Sequence, residues 1–319
     1  FQVSIITARK ALNDLVTENI IVRQRGRGSF VRNVPAPVDA AALAGTLGAS
    51  PTASIVSTPF EPGSLPAGAK RNGGLRIVVF LMLTSGEPDN SLLKIFRGVS
   101  GHLSARGYSL VVEWCNDDPG TERRLLEKYL DEPVSGILVF SVDPEANADS
   151  FERILNRKIP LVMIDRSVDS LPMNLVASYN YDGAFNMTRY LVSLGHRRIL
   201  FAGIHPHLQT ERDRLLGFRK ALESSGLPCG EAHVLFDPHG DPARIRERVH
   251  REGMSAVFCV HDELAARFIH HLSGQGVRIP ADLSVSGFDD SDIGRLLHPA
   301  LTTVRQPFQN MGTQAAHLL

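Results

Sequence analysis

The sequence predicts an α/β fold of two lobes, each on a doubly wound parallel sheet, behind a small N-terminal helix-and-hairpin module. Three observations predict it. Short apolar runs alternate with amphipathic helical segments through residues 75–319. The runs are continuous rather than alternating, as in parallel strands covered on both faces. About ten of them occur, too many for one simple doubly wound unit of ordinary size.

The elements follow in order. LRIVVFLML is the first strand, and Leu92, Ile95, Phe96, Val99 and Leu103 then recur at helical spacing. YSLVVEWC (strand), TERRLLEKYLD (helix), GILVFS (strand), FERILNRK (helix) and PLVMID (strand) complete a first set. After a short VASYNY strand the alternation resumes with AFNMTRYLVSLG, RILFAG, RDRLLGFRKALESSG, HVLF, PARIRERVHREG, SAVFCV, DELAARFIHHLSGQG and LSVSGFD. Each strand–helix repeat implies a right-handed crossover. Asp241–Pro242 sets a carboxylate at an N-cap and proline in the first helical turn.

Residues 34–74 are rich in Pro, Ala, Gly and Ser, with one short helical stretch near Asp39–Leu47, and read as a linker, part extended and part flexible. The expected domains are 1–33, the linker 34–74 and the body 75–319. Within the body, lobe 1 takes about 75–178 and 306–319, and lobe 2 about 179–305.

Hydrophobic residues make up 43% and charged residues 21% of the 319 residues, the balance of a water-soluble globular chain. No apolar run approaches the roughly 18 residues of a membrane span, so no membrane partner is expected. Three scattered cysteines, Cys115, Cys229 and Cys259, argue against a disulfide framework and for a reducing cytoplasm. The formal net charge is zero, yet residues 1–33 carry six basic and two acidic side chains. A basic head on a mildly acidic body is the asymmetry expected of a nucleic-acid-binding module on a ligand-binding one.

Residues 4–19 form an amphipathic helix with Ile5, Ala8, Leu12, Leu15 and Val16 inward and Ser4 as N-cap. IIVRQRGRGSFVRN follows as strand, Gly26-Arg27-Gly28 turn and return strand. A helix followed by a basic-tipped hairpin reads as a winged helix, with Ser4, Thr7 and Arg9 offered to phosphate or a guanine edge and Arg25 and Arg27 at the wing tip.

The stretch VSIITARKALNDLVTENIIVRQRGRGSFV (residues 3–31) resembles the GntR-type winged helix. The resemblance implies DNA contacts from Ser4, Thr7, Arg9, Arg25 and Arg27. Ile5 stands where that family commonly has a basic residue. Two helices precede the recognition helix in that family, so a chain starting at Phe1 is expected to hold only the C-terminal part of the head.

The body resembles the LacI/GalR-type, periplasmic-binding-protein-like effector domain. The resemblance rests on LVSLGHRRILFAG (191–203), RDRLLGFRKAL (212–222), SAVFCVHDELAARFIHHLSGQGVRIPADLSVSGFDD (255–290) and LLHPALTTVRQPFQNMG (296–312). A GntR-type head on this body looks like the arabinose-repressor arrangement. It implies a cytoplasmic, dimeric, effector-responsive transcription regulator, with a repressor's action, operator DNA as partner and a small sugar as effector.

Ligands of open α/β sheets bind outside the carboxyl ends of the strands. The expected effector contacts there are Asp89, Asn90, Ser141, Asp165, Arg166, Asn180, Thr210, Arg214, Phe236, His261 and Asp289. The family supports Asn180, Thr210, Arg214 and Asp289 best. Arg214 can fork paired hydroxyls, Asp289 can accept from them, and Phe236 can cover an apolar sugar face. His261 stands where the family often has asparagine, and Asn90–Leu92 departs from its usual run. Asp262 is read as the N-cap of the DELAARF helix and Asp290 as a turn residue.

Two other functions suit such a body: a transport-type binding protein of the same fold, and a sugar- or nucleoside-modifying enzyme. The sequence holds no Gly-x-Ser-x-Gly elbow, P-loop, CxxC or HExxH, and His270 and His271 point different ways on a helix. No enzyme activity, cofactor or metal is expected.

Overall fold

The computed structural model describes residues 21–24, 28–31, 55–57, 76–83, 90–237 and 239–319, the first three segments as backbone. The chain divides into two compact units, Phe1–Ser50 and Pro51–Leu319. In the first, β1 (Ile21–Gln24) and β2 (Gly28–Val31) pair antiparallel, with Ile21 opposite Val31 and Gln24 opposite Gly28. This is the hairpin expected around the Gly26-Arg27-Gly28 turn. The proposed DNA contacts Ser4, Thr7, Arg9, Arg25 and Arg27 all lie outside the described residues.

In the second unit the alternation is as the periodicity requires. One set comprises β3 (Ile55–Ser57), β4 (Ile77–Met82), α1 (Asn90–Ser104), β5 (Ser109–Trp114), α2 (Pro119–Asp131), β6 (Gly136–Phe140), α3 (Ala148–Asn156), β7 (Leu161–Ile164) and β8 (Asn174–Ser178). A second comprises α4 (Asn180–Ser193), β9 (Ile199–Gly203), α5 (Gln209–Ser224), β10 (Val234–Phe236), α6 (Pro242–Glu252), β11 (Ala256–Cys259) and α7 (Asp262–Ser273). It continues with β12 (Ser284–Asp289), α8 (Asp292–Leu296) and β13 (Thr302–Arg305), before α9 (Phe308–Leu318).

The sheets run β3-β8-β7-β6-β4-β5 and β10-β9-β11-β12-β13. Apart from β3 every pairing in them is parallel. Taken as parallel sets, both have the order second, first, third, fourth, fifth, so each has a switch point beside its first strand where the carboxyl ends open a crevice. β3 falls inside the stretch read as a linker; it lies antiparallel on β8, with Ile55 opposite Ser178, and covers that edge.

Buried phenylalanines Phe201, Phe218 and Phe258 centre the second lobe's core, while the first sheet carries a separate apolar cluster on each face. That is why β6 and β7 read as unbroken apolar runs and are buried throughout. β5, at the sheet edge, is only partly buried.

The chain passes between lobes at Ser178–Asn180 and again at Arg305–Phe308. After the second passage α9 packs on α1. Glycines permit that approach: a Cβ on Gly98 would stand 2.0 Å from the Gln309 carbonyl oxygen, and one on Gly312 2.1 Å from that of Ile95. Asp241 caps α6 as expected, accepting from the Ala243 N–H at 2.9 Å with Pro242 next in line.

Candidate effector-binding cleft

The carboxyl ends of both sheets carry polar side chains that a packed core has no use for. Arg214 sits in the second turn of α5 and is only 6% exposed. Its Nε donates to Asn180 Oδ1 at 2.8 Å and one terminal nitrogen donates to the Val260 carbonyl at 2.6 Å. The other terminal nitrogen lies 3.9 Å from Asp289 Oδ1, and the guanidinium lies over the Phe288 ring at 3.8 Å. Gly217 lets α5 come close enough for this: a Cβ there would stand 2.1 Å from the Tyr181 carbonyl oxygen on α4.

Asp289 ends β12 with φ 120°, a backbone conformation few side chains adopt. It accepts from Gln306 Nε2 at 2.6 Å. Burial pushes its carboxyl up to about 7; Arg214 opposes this, and the Asp262 carboxylate adds to it.

From the first lobe, Asp165 (φ 70°) and Arg166 follow β7, 3.6 Å apart, and Arg166 also donates to the Val142 carbonyl at 2.8 Å. Asp165 Oδ1, Arg166 Nε, Gln209 Oε1 and Gln306 Oε1 are buried without a hydrogen-bond partner among the described residues. Buried polar atoms are nearly always partnered. Donors and acceptors left over at the open ends of two facing sheets are therefore suited to a polar ligand. Beside them a small niche is lined from both lobes, by Asp143, Arg166, His207, Gln209 and Arg212 among others.

Three bridges join the lobes. Arg212 meets Asp169 at 2.6 Å, His207 meets Asp143 at 3.6 Å, and Asp292 takes both Lys94 at 3.7 Å and the Asn90 carboxamide.

The other expected contacts are placed as follows. The Ser141 hydroxyl is fully buried and donates to Glu122 Oε1 at 2.7 Å. Glu122 also accepts from the Val142 N–H and Asn147 Nδ2, because a buried carboxylate must recover the hydrogen bonds lost with water. Asn90 serves the interlobe bridge to Asp292. Phe236 packs on Phe201, ring centres 5.9 Å apart, and over Gly203. Thr210 is buried one turn before Arg214. Asp89 lies outside the described residues.

The expected capping by Asp262 is corrected. His261 caps α7, its Nδ1 accepting from the Leu264 N–H at 3.1 Å. Asp262 is wholly buried and accepts instead from the Ser291 N–H at 2.8 Å and Thr303 Oγ1 at 2.5 Å. Asp290, read as a turn residue, has φ 53° and also pairs with Arg295 and Arg305. Gln209 and Gln306 carried no signal in the sequence.

Residues 188–319 match the family described as periplasmic binding protein-like domain. The chain is 28% identical to the arabinose metabolism transcriptional repressor of Geobacillus stearothermophilus, across 100% of this chain and 81% of that protein. It is 29% identical to the HTH-type transcriptional repressor PurR of Haemophilus influenzae (strain PittEE), across 82% and 77%. Among solved structures it resembles a transcriptional regulator CelR–cellobiose complex, with TM-score 0.68, 27% identity, and 77% and 78% of the two chains covered. These relatives are transcriptional regulators, not enzymes. The body of this chain thus has the periplasmic-binding-protein-like fold of the LacI-type regulators.

Proposed function

We propose that this chain is a ligand-responsive transcriptional repressor that binds operator DNA through a GntR-type winged helix and a small sugar between its two lobes. The observation that carries the reading is the cleft itself. Arg214 and Asp289 stand side by side at the sheet ends, with unpartnered Asp165, Arg166 and Gln209 atoms beside them. Such a mixture of fixed donors and acceptors suits hydroxyls, which need both. The head is supported by the β1–β2 hairpin and by the arabinose-repressor alignment, which runs through the whole chain. In this reading Ser4, Thr7, Arg9, Arg25 and Arg27 face DNA, two copies bind a two-fold symmetric operator, and the protein works in the cytoplasm. No helix among the described residues is long and apolar enough to cross a membrane.

Effector binding would favour one arrangement of the lobes and so change DNA affinity, by the 1–3 kcal/mol typical of such coupling. The test is a thermal-shift screen of sugars, sugar phosphates and nucleobases, followed by anisotropy titration of operator DNA with and without the hit. A sugar that raises the melting temperature and alters operator affinity is the expected result. A hit that leaves operator affinity unchanged would overturn the regulatory reading.

A further inference from the structure

We infer that Glu122 is a positioning residue of the effector site: its buried carboxylate fixes Val142, whose carbonyl in turn holds the Arg166 guanidinium in the first-lobe wall of the cleft. The inference rests on the effector-site reading above and deepens it.

Glu122 stands in the first turn of α2 and is 0% exposed. Taking a carboxylate out of water is costly, and an apolar side chain of similar volume would pack α2 on its sheet without that cost. What the carboxylate adds is acceptors. Oε2 takes the Val142 N–H at 2.7 Å, while Oε1 takes the Ser141 hydroxyl at 2.7 Å and Asn147 Nδ2 at 3.0 Å. The Asn147 amide is oriented from its other side: Arg123 Nε, which can only donate, reaches Asn147 Oδ1 at 3.2 Å. One side chain on α2 thus gathers the segment after β6 and the single turn Glu145–Asn147.

Val142 passes the constraint on. Its N–H is held by Glu122, and its carbonyl accepts from Arg166 at 2.8 Å. The other neighbours of the guanidinium lie further off, Asp165 at 3.6 Å and the Phe140 ring at 5.5 Å. Arg166 lines the niche between the lobes, and its Nε is buried and unpartnered among the described residues. Asp143, next to Val142, meets His207 of the second lobe at 3.6 Å. Glu122 therefore sets both a cation of the cleft wall and one end of an interlobe bridge. Burial pushes the Glu122 carboxyl above the usual range, and its hydrogen bonds and the Arg166 charge oppose this. The link to Arg166 is thus electrostatic as well as geometric.

The first test needs no effector. In chain labelled with ¹⁵N-arginine, the Arg166 Nε–H signal is assigned by its loss in Arg166→Lys. That buried N–H should exchange slowly with water in the wild type. Glu122→Met removes both acceptor oxygens at similar volume, so exchange should quicken by about tenfold or more as the guanidinium loosens. Glu122→Gln should rescue it. The amide oxygen can keep the Val142 N–H while the NH₂ turns to the Ser141 hydroxyl, and Asn147 Nδ2 retains the Pro119 carbonyl at 3.0 Å. Equal exchange in wild type and Glu122→Met overturns the inference, as does equally fast exchange in both variants.

The second test is calorimetry with L-arabinose, D-ribose and cellobiose. For a sugar that binds, Glu122→Met should lose roughly 5- to 50-fold in affinity, the coupling expected within one hydrogen-bond network. Glu122→Gln should recover most of it. With Arg166→Ala already present, Glu122→Met should weaken binding by no more than about twofold further, because the two changes remove the same contact. Unchanged affinity in Glu122→Met, or equal losses in both backgrounds, overturns the inference. Denaturant melts show whether each variant folds. If Glu122→Met does not, Glu122→Asp, one methylene too short to reach Val142, replaces it in both tests. If none of the three sugars binds, the failure belongs to the sugar-effector reading, and the exchange of the Arg166 Nε–H still decides the positioning.

Discussion

Gln306 Nε2 donates to Asp289 Oδ1 at 2.6 Å, and Arg214 Nε donates to Asn180 Oδ1 at 2.8 Å. Gln306 lies on one passage between the lobes and Asn180 on the other. The two charged residues best placed to read an effector therefore also hold the two segments about which the lobes would move. A ligand that re-aims Arg214 or Asp289 acts directly on both passages, a physical route from binding to domain rearrangement.

Arg214→Ala should abolish the effector response while operator binding survives. It removes the donors to Asn180 and Val260 and leaves Asp289 buried beside no cation. Breaking a buried pair in this way should also cost roughly 3 kcal/mol of stability. Arg214→Lys should rescue little, since an ammonium cannot reproduce the fork. Calorimetry with the screened sugar and denaturant melts check both parts; wild-type affinity in Arg214→Ala would remove this residue from the site.

Asp289 makes a pH-dependent prediction. Its carboxyl is raised from the ordinary 3.8 to about 7, so across that window the folded protein holds a proton that the unfolded chain releases. Stability contributed by the neutral acid is present below about pH 4 and is lost as pH rises through 7. Asp289→Asn removes this dependence. The melting temperature of the variant relative to wild type should rise with pH between about 4 and 7 and then level off. A difference that stays flat across that range would count against the raised value.

Much of this was legible in the residues. The strand–helix alternation placed β4 to β12, and the rule that ligands bind at carboxyl ends picked out Arg214, Asp289 and Asp165. What escaped has physical causes. Thr302–Arg305 forms β13 without an apolar run, because the last strand of that sheet is covered on fewer sides. Ser141 looked available because its acceptor, Glu122, is 19 residues away on α2. Gln209 and Gln306 matter through single unpartnered oxygens, which no pattern of residue types announces.

Asp262→Ala should be a stability variant with the effector response preserved. Its carboxylate holds the Ser291 N–H and the Thr303 hydroxyl across three elements, and Gly287 and Gly294 pack closely on it. Leaving those donors unpaired should cost about 2–4 kcal/mol. Denaturant melts measure the loss, and an unchanged sugar affinity in the folded variant confirms that Asp262 supports the site without touching the ligand.

In the proposed head, Arg9→Ala should cost about 1–3 kcal/mol of discrimination against altered operators, as expected for a guanine contact. Arg27→Ala should weaken binding to all sequences alike and flatten the salt dependence by about one counterion. Salt-titrated anisotropy separates the two. If neither change has an effect, the DNA contacts lie elsewhere.

The bridges between lobes lead to a prediction about closure. Arg212–Asp169 and Lys94–Asp292 join side chains that are 28–53% exposed, so each alone should contribute no more than about 1 kcal/mol. They exist only while the lobes are together, so their whole effect falls on the equilibrium between open and closed forms rather than on folding. Arg212→Ala with Asp292→Ala should therefore leave the denaturation midpoint nearly unchanged. The same pair should weaken sugar affinity several-fold and enlarge the radius of gyration of the ligand-free protein in X-ray scattering. High salt should mimic the double variant in wild type and add little to it, because screening and mutation remove the same attraction. A double variant with normal affinity and the same scattering profile would show that these bridges do not hold the lobes together.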